Sequence, residues 1–417
     1  MKRPPAGPTP ASGTRRILPA CTVFLAVALA GCSTQTMRAL RWMDADMNDI
    51  HRFPLREIQN GTGTFTFSPP TPNRYDTLVT PLTVRQDGAD VAQEFDAFLR
   101  DRDTYAFLVI RRDTLIYEKY FQARDRRSIE TTFSISKSLV SIATGIALDS
   151  GWIGSVRDPI TRYLPELAAR DSAFSAVTIE HLLTMTSGIR FSGGKTPWSD
   201  EARSYYSPDL RSVALSRNLA HPPGSRFQYN PYSPIVLGLA LERASGRPLT
   251  QLLSESVWTR IGADAPASWS LDSKARGFEK MESGFNATAI DLAKIGRLFL
   301  REGNWDGDRI VGADWVRASV EPDSGAGRPR YGYFWWVHRS EGEPNRYYAE
   351  GRFGQFIYVV PDRELIVVRT GRTDGDVNWV SVFERIVRRV DAVDEGSVRS
   401  GRTLTPRRGD PVPFLGG

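Results

Sequence analysis

Ser134 and Lys137 are the residues whose types and spacing most directly suggest chemistry. If the segment is helical, residues three apart share a face, so the Lys137 amine can reach the Ser134 hydroxyl. A desolvated lysine loses its proton more easily and can then activate a hydroxyl as a nucleophile. The positive end of the helix dipole also favours negative charge developing on a serine at the first turn. The pair therefore predicts nucleophilic catalysis by Ser134.

Two alternatives compete with this interpretation. A second Ser-x-x-Lys match, Ser192 to Lys195, lies in a glycine-rich loop where no helix fixes the geometry, so we treat it as coincidental. The pair at 134 and 137 could instead be a capping serine with a lysine that extends to the surface. A lysine on an otherwise apolar helix needs a reason, which favours the catalytic interpretation.

The sequence lacks the motifs of several other enzyme classes. No Gly-x-Ser-x-Gly elbow occurs, so an α/β-hydrolase triad has no nucleophile site. Gly194-Lys195-Thr196 resembles the end of a phosphate-binding loop, but Gly188 lies one residue too far back. The histidines have no metal-ligand spacing and no cysteine pair occurs, so we expect no metal and no cofactor. They are His51, His181, His221 and His338.

The apolar segment 134–150 must position the Ser-Lys pair, and its composition predicts a buried central helix that ends at Gly151. Before it, residues 91–99 show helical spacing, and residues 105–111 and 114–121 flank a short turn as a β-hairpin. Further along, residues 331–337, 353–361 and 365–370 are strand-like, and 376–390 predict a last helix.

Helical periodicity dominates residues 158–261, between these two groups of strands. The pattern predicts an α+β fold in which both ends of the body contribute to one sheet. We expect a discontinuous sheet domain made of residues 81–157 and 262–394, with a helical domain at 158–261.

The N-terminal sequence predicts export. Residues 1–16 carry four bases and no acid, and the apolar run 17–30 is too short for a permanent membrane helix. The run ends in Leu29-Ala30-Gly31-Cys32, which resembles the lipobox of bacterial lipoproteins. We therefore expect a signal peptide at 1–31 and a cell-envelope lipoprotein anchored to a membrane through Cys32. An ordinary signal peptide or a buried N-terminal helix is the alternative. Residues 32–80 predict a tether and N-terminal arm.

Charge gives no support for a nucleic-acid partner. The chain has 417 residues, with 54 Lys plus Arg against 48 Asp plus Glu. The excess lies in residues 1–31 and in the tail 395–417, so the body from 33 to 394 has 46 of each. A neutral body lacks the basic surface that binding to phosphates requires. The tail is rich in Pro, Gly and Arg and is predicted to be disordered.

Several motifs occur in the order seen in the serine β-lactamase-like superfamily. They are Ser134 to Lys137, TIEHLLTMTSG at 178–188, PGSRFQY at 223–229, NATAIDLAKIGRL at 286–298 and YGYFWW at 331–336. The chain resembles the class C branch, which also contains penicillin-binding proteins, lactamase-fold esterases and 6-aminohexanoate-dimer (nylon-oligomer) hydrolases. The resemblance covers about 95–390 and implies a β-lactamase/transpeptidase-like fold. In that fold, helices flank an antiparallel sheet, and the active site lies between the sheet and an all-helical domain.

The family's second element, Tyr-x-Asn, implies that Tyr229 acts with Ser134 and Lys137. Pro231 stands where Asn or Ser is usual. Asn230 or Ser233 could supply the polar group, and Tyr232 is the alternative tyrosine. Candidate cleft aromatics, which could equally belong to the core, are Trp198, Tyr205, Tyr206 and Trp335.

The family's third element is usually Lys-Thr-Gly, but no Lys occurs after Lys294. Arg352 or Arg346 could replace the cation, and its absence argues against a dedicated β-lactamase. Gly351-x-x-Gly354-Gln before an apolar strand resembles the 6-aminohexanoate-dimer hydrolase branch. The backbone N–H groups of Ser134 and near Gly351 could form an oxyanion hole.

The resemblance implies a serine hydrolase that forms an acyl-enzyme through Ser134, with Lys137 and Tyr229, on a small amide or ester substrate. The activity would be like that of a 6-aminohexanoate-dimer hydrolase or an esterase. The alternatives are β-lactamase or D-Ala-D-Ala carboxypeptidase activity, or a surface lipoprotein that binds without turnover.

Overall fold

The structure is a computed structural model that describes residues 34–72, 74–75, 78, 80–86, 89–322, 330–339 and 345–402. The predicted signal peptide, Cys32 and residues 403–417 of the predicted tail lie outside the described residues. Within this part of the chain, no helix has the length and apolar character needed to span a bilayer.

The helices and strands are numbered here in chain order. The first half of the chain forms α1 (Thr34–Trp42), α2 (Asp49–Arg52), β1 (Leu55–Ile58), β2 (Leu82–Gln86), β3 (Ala89–Gln93), α3 (Phe95–Asp101), β4 (Thr104–Arg111), β5 (Thr114–Tyr120), β6 (Ile129–Thr131), α4 (Ile135–Asp149), α5 (Pro165–Arg170), α6 (Ile179–Leu183) and α7 (Asp200–Tyr206). The second half forms α8 (Leu210–Leu215), α9 (Tyr232–Ser245), α10 (Leu249–Leu253), β7 (Ala267–Ser270), β8 (Phe285–Thr288), α11 (Ala289–Leu300), β9 (Asn304–Trp305), β10 (Asp308–Arg309), α12 (Ala313–Ser319), β11 (Trp336–His338), β12 (Arg346–Gly351), β13 (Gln355–Val360), β14 (Leu365–Gly371) and α13 (Trp379–Arg402).

Both halves of the chain build the central sheet, as the sequence predicts. Its six antiparallel strands have the order β11-β12-β13-β14-β4-β5, so β14 pairs with β4 across most of the chain length. Side chains alternate between two apolar cores. Leu108 and Ile110 of β4 face the core that contains α4 and α11, whereas Phe107 and Val109 face the core that contains α3 and α13. Helices therefore cover both faces of the sheet.

A smaller sheet of four strands, in the order β1-β7-β8-β6, ends beside the first turn of α4. The strand β1 belongs to the segment that the sequence predicts as a tether and arm. It pairs with β7 from Leu55↔Ser270 to Ile58↔Ala267. At least this part of the arm is therefore an integral part of the fold, because its backbone hydrogen bonds are made to a strand of the body.

Several predicted element boundaries are wrong. The helix predicted at 91–99 is instead strand β3 followed by α3. The strand predicted at 331–337 is reduced to β11, because Phe334 has a left-handed φ of 61° and the Gly332 amide bonds to Trp335 in a tight turn. Helix α13 continues past Glu395, where the tail was predicted to be disordered, since no Pro interrupts it before Pro406.

Candidate active site

Ser134 lies immediately before α4, at the point where the chain leaves the smaller sheet. Phe133, the residue before it, has a left-handed φ of 48°, a conformation that is uncommon for a bulky residue. The turn is held by two bonds to β8: the Thr132 hydroxyl donates to the Phe285 carbonyl at 2.8 Å, and the Phe285 amide donates to the Ser136 hydroxyl at 2.9 Å. The strained turn therefore presents Ser134 at the positive end of a buried helix.

The Lys137 amine contacts both the Ser134 hydroxyl and a neighbouring loop. Its Nζ lies 2.8 Å from Ser134 Oγ and 2.7 Å from the backbone carbonyl oxygen of Glu282. Lys137 is 3% exposed, so it does not extend to the surface as the alternative interpretation required. The Ser134 hydroxyl is thus within hydrogen-bond distance of a buried amine that can accept its proton.

Tyr229 lies on the other side of this amine. The centroid of its ring is 5.0 Å from Lys137 Nζ, and the ring stacks on Trp336 at 5.8 Å with an interplanar angle of 20°. The segment before it is fixed by the Gln228 amide, which donates to the Met185 carbonyl. The structure therefore places Tyr229 together with Ser134 and Lys137. Tyr331 packs edge-on against Tyr229. Burial is the main cause that raises the pKa of Tyr331, and the nearby Tyr229 is the second.

The alternative tyrosine, Tyr232, is directed away from the nucleophile. Its hydroxyl bonds to the Asp200 carboxylate at 2.9 Å, inside the helical region. The Asn230 side chain donates to the Ile189 carbonyl at 2.8 Å and accepts from the Tyr232 amide at 2.9 Å. Ser233 lies 3.2 Å from the Ser187 hydroxyl. Neither polar residue proposed to replace the family Asn lines the cavity at Ser134, whereas Pro231 does.

A cavity of about 140 Å³ opens at Ser134, Lys137 and Tyr229. Its polar lining includes side chains that sequence reasoning missed as site residues. They are Glu201, Ser204, Glu282 and Ser283. Of the candidate cleft aromatics, only Tyr205 lines this cavity. Trp335 is buried against Phe299, with their ring centroids 4.2 Å apart, and Trp198 is exposed.

Gly351 lies at the end of β12, opposite Gln355 of β13. A Cβ atom at this position would lie 2.1 Å from the Thr132 carbonyl oxygen, so only glycine lets β12 approach the chain that leads to Ser134. The proximity of the two backbones is compatible with an oxyanion hole that uses N–H groups from both.

The two arginines considered for the missing cation have different positions. Arg346 is buried and bonds to Glu384 of α13, on the far side of β12. Arg352 lines the cavity and forms an ion pair with Asp44 of the N-terminal arm at 3.0 Å. The second Ser-x-x-Lys match is exposed at both Ser192 and Lys195, and neither residue lines the cavity at Ser134.

A buried charged cluster beneath the cavity was also missed. Lys280 lies 3.4 Å from the Glu282 carboxylate, donates to the Tyr205 carbonyl and sits 3.8 Å from the Tyr205 ring centroid. The Tyr205 hydroxyl in turn donates to Asp49 of the arm. Burial lowers the pKa of Lys280 and raises that of Asp49. The only sequence signal was the run of charged residues at 279–282, which is equally typical of a solvated loop.

No group of three or more His, Cys, Asp or Glu side chains in the described ranges is arranged to hold a metal ion. Two of the histidines interact with neighbouring side chains. His181 forms a capping box with Thr178 at the start of α6, and His338 lies 4.0 Å from Glu384.

Comparison with known proteins identifies the family of the chain. The family model Beta-lactamase matches residues 91–384. The chain is 26% identical to 6-aminohexanoate-dimer hydrolase of Paenarthrobacter ureafaciens over 360 residues, which is 79% of this chain and 86% of that enzyme. It is 31% identical to esterase EstB of Burkholderia gladioli over 214 residues, covering 44% of this chain and 53% of the esterase.

Solved structures show the same fold. A Bacillus anthracis protein named for 6-aminohexanoate-dimer hydrolysis superimposes with a TM-score of 0.71 at 21% identity, covering 85% of this chain and 96% of that one. A penicillin-binding protein from Bacillus halodurans has a TM-score of 0.55 at 18% identity, covering 67% and 95%. The predicted fold class and superfamily resemblance are confirmed. The chain belongs to the Beta-lactamase family and is a β-lactamase-fold hydrolase homologous to 6-aminohexanoate-dimer hydrolase and to esterases.

Proposed function

We propose that the chain is a serine hydrolase that cleaves amide or ester bonds through an acyl-enzyme on Ser134. The observation that carries this proposal is the contact of 2.8 Å between Lys137 Nζ and Ser134 Oγ, made by a buried amine at the start of a helix. Tyr229, whose ring centroid lies 5.0 Å from Lys137 Nζ, is the candidate second group for proton transfer.

In the proposed reaction, Ser134 Oγ attacks the substrate carbonyl carbon while its proton passes to the Lys137 amine. Backbone N–H groups of Ser134 and near Gly351 stabilise the negative oxygen of the tetrahedral intermediate. The intermediate collapses when the carbon–nitrogen or carbon–oxygen bond breaks, and Lys137 with Tyr229 returns the proton to the leaving group. Water then attacks the acyl-enzyme by the same proton path and releases the acid.

An amidase or esterase fits the site better than a dedicated β-lactamase. The one cation of the third element that lines the cavity, Arg352, is already paired with Asp44. A β-lactam carboxylate would have to compete with that carboxylate for the guanidinium. The long match to 6-aminohexanoate-dimer hydrolase supports a small linear amide or ester as the substrate class.

Labelling of Ser134 tests the mechanism. Purified protein is incubated with a fluorophosphonate, which reacts with activated serines, and its intact mass is measured. We expect one adduct on the wild type and on Ser192→Ala, and none on Ser134→Ala. An adduct that persists in Ser134→Ala would disprove the assignment.

A substrate panel then separates the activities. It contains a short ester, a linear amide, a D-Ala-D-Ala peptide and a chromogenic cephalosporin. We expect turnover of the ester or the linear amide. If none of the four substrates is turned over and Ser134 is not labelled, the results favour a binding module without turnover. Pro231 at the family Asn position is the feature that supports this alternative.

We also propose that the hydrolase is exported and anchored to a cell-envelope membrane through lipid on Cys32, on the strength of the charged, apolar and small-residue pattern of residues 1–32. Metabolic labelling with an alkyne fatty acid tests this. We expect label on the wild type and none on Cys32→Ala, with Cys21→Ala as the matched control that keeps the label.

A further inference from the structure

A second, larger cavity adjoins the one at Ser134. Its volume is about 690 Å³, within the range of sites that enclose a small organic ligand. The two cavities share four lining residues, which are Ala45, Glu201, Tyr205 and Arg352. Because they share these walls, the two cavities are adjacent.

The larger cavity is formed by the N-terminal arm on one side and by α7 with the loop before it on the other. Apolar side chains dominate the lining, among them Leu40, Met43, Pro197 and Tyr206. The arm is held against α7 by Asp49, which accepts a hydrogen bond from the Tyr205 hydroxyl. The same carboxylate bonds to Arg52 within the arm at 2.7 Å. The cavity wall is therefore built on residues with defined partners.

The mouth of this cavity carries large hydrophobic side chains that face solvent. Leu40 is 57% exposed and Met43 is 81% exposed, while Trp198, next to the lining residue Pro197, is 69% exposed. Exposed apolar side chains are unremarkable when isolated, but a cluster around an apolar cavity marks a ligand or interaction site. Exposure to solvent is unfavourable for large apolar side chains, so their position at the cavity mouth indicates a binding role.

Three of the four charged residues that line the larger cavity lie at or beside the boundary with the smaller one, and the fourth, Lys195, is exposed in the loop before α7. Arg352 pairs with Asp44 there, and Glu201 is exposed in the wall that both cavities share. The arrangement thus places a polar reaction site, a charged boundary and an apolar chamber in sequence. It matches a molecule with a polar carbonyl at one end and a long apolar chain at the other.

We propose that the larger cavity binds the aliphatic acyl chain of the substrate, so that the enzyme prefers medium- to long-chain fatty-acyl esters or amides. This proposal rests on the proposed acyl-enzyme at Ser134. The acyl part is the part that stays attached to the serine after the leaving group departs, so a chamber that binds it acts in both halves of the reaction.

Two isomeric esters test which side of the ester occupies the chamber. Methyl undecanoate carries its long chain on the acyl side, and decyl acetate carries it on the alcohol side, with the same atoms. Acid release is followed by titration for both esters and for methyl acetate. We expect methyl undecanoate to have the highest kcat/KM, by about tenfold or more, because even two buried methylene groups contribute that much. Equal values for the two isomers, or a preference for decyl acetate, overturn the proposal.

Variants locate the effect in the structure. Leu40→Glu and Met43→Glu place a charge at the cavity mouth, and Leu55→Glu is the matched control at another exposed leucine. We expect the first two to lose most of the preference for methyl undecanoate over methyl acetate, whereas Leu55→Glu keeps it. If they change only the sedimentation coefficient, the patch serves self-association and the proposal is wrong.

A binding measurement separates this proposal from the catalytic one. Decanamide and acetamide are titrated into full-length Ser134→Ala protein by calorimetry. Tighter binding of decanamide that Leu40→Glu abolishes supports the chamber, even if no ester is turned over. No difference between the two amides overturns it, even if Ser134 is labelled.

Discussion

Lys137 donates a hydrogen bond of 2.7 Å to the backbone carbonyl of Glu282, and this bond sets the direction of the amine. The Glu282 side chain is engaged elsewhere, with Lys280 and with the Ser283 hydroxyl at 2.8 Å. The Lys137 amine is thus held next to Ser134 by a backbone carbonyl and not by a carboxylate. The position of the Lys137 amine relative to Ser134 therefore depends on the loop at 280–284 as well as on α4.

Lys137→Met keeps the aliphatic stem and removes the proton acceptor. We expect kcat on the preferred ester to fall about 10²–10⁴-fold, which is the usual contribution of a positioned acid–base group. Fluorophosphonate labelling of Ser134 should slow in parallel. Lys274→Met, at an exposed lysine, is the control that keeps activity. If Lys137→Met is folded by circular dichroism and fully active, Lys137 is not the base.

Tyr229→Phe tests the assigned tyrosine against its alternative. It keeps the ring that stacks on Trp336 and removes only the hydroxyl, so we expect about a 10²-fold loss of kcat with little change in stability. Tyr232→Phe should show the opposite effect. It removes a buried bond to Asp200, which costs about 1 kcal/mol, and leaves kcat unchanged. The reverse pattern would assign the role to Tyr232. Steady-state kinetics and urea unfolding measure the two effects.

Gly351→Ala introduces a methyl group 2.1 Å from the Thr132 carbonyl oxygen, so one of the two backbones must move. We expect a loss of about 1–3 kcal/mol in unfolding free energy, as for other overpacked sites, together with slower acylation of Ser134. Gly63→Ala, where no atom lies within 4 Å of the added methyl group, should leave both quantities unchanged. Wild-type acylation by Gly351→Ala would remove this strand end from the oxyanion hole.

The carboxylate of Asp113 accepts two bonds from Arg297, at 2.8 and 2.9 Å, and ties the β4–β5 turn to α11. Burial alone would raise the pKa of Asp113, but the bonds to Arg297 and the charge of Arg301 outweigh it and lower the pKa. The stabilisation is therefore complete above the ordinary Asp pKa of about 4 and is lost as pH falls through the lower folded value.

Asp113→Asn suits the left-handed φ of 57° at this turn, so it changes the charge with little backbone strain. We expect a loss of about 1–3 kcal/mol at neutral pH that shrinks as pH is lowered below about 4. Urea unfolding at several pH values measures it, and Asp314→Asn, at an exposed carboxylate, is the control. A difference from wild type that stays constant with pH would contradict the assigned ion pair.

The contact between Ser134 and Lys137 could be predicted because it is local. Ser134 and Lys137 lie one helical turn apart, and the surrounding apolar run predicts the buried helix that fixes their geometry. The central sheet could be predicted as well, since strand-like runs bracket a helical stretch. Tyr229 needed the family's motif spacing, because nothing local distinguishes it from Tyr232.

The rest of the site is made by contacts between distant segments. Asp49, Tyr205 and Lys280 come from three parts of the chain, and each alone is typical of a solvated or core position. The arm gave no periodic signal because β1 has only four residues and its partner β7 lies in the second half of the chain. Pairing and burial of this kind depend on the tertiary fold, which a single sequence does not show.

The pairing of β14 with β4 also determines how much of the chain must be synthesised before the central sheet is complete. Ribosomes deliver β4 and the Ser134 turn early, but the strand that completes the sheet beside β4 ends at Gly371. Contacts between segments so far apart form slowly and late in folding. A partly synthesised chain therefore carries Ser134 without the completed sheet, and we expect the proposed hydrolytic activity to require the chain through Gly371.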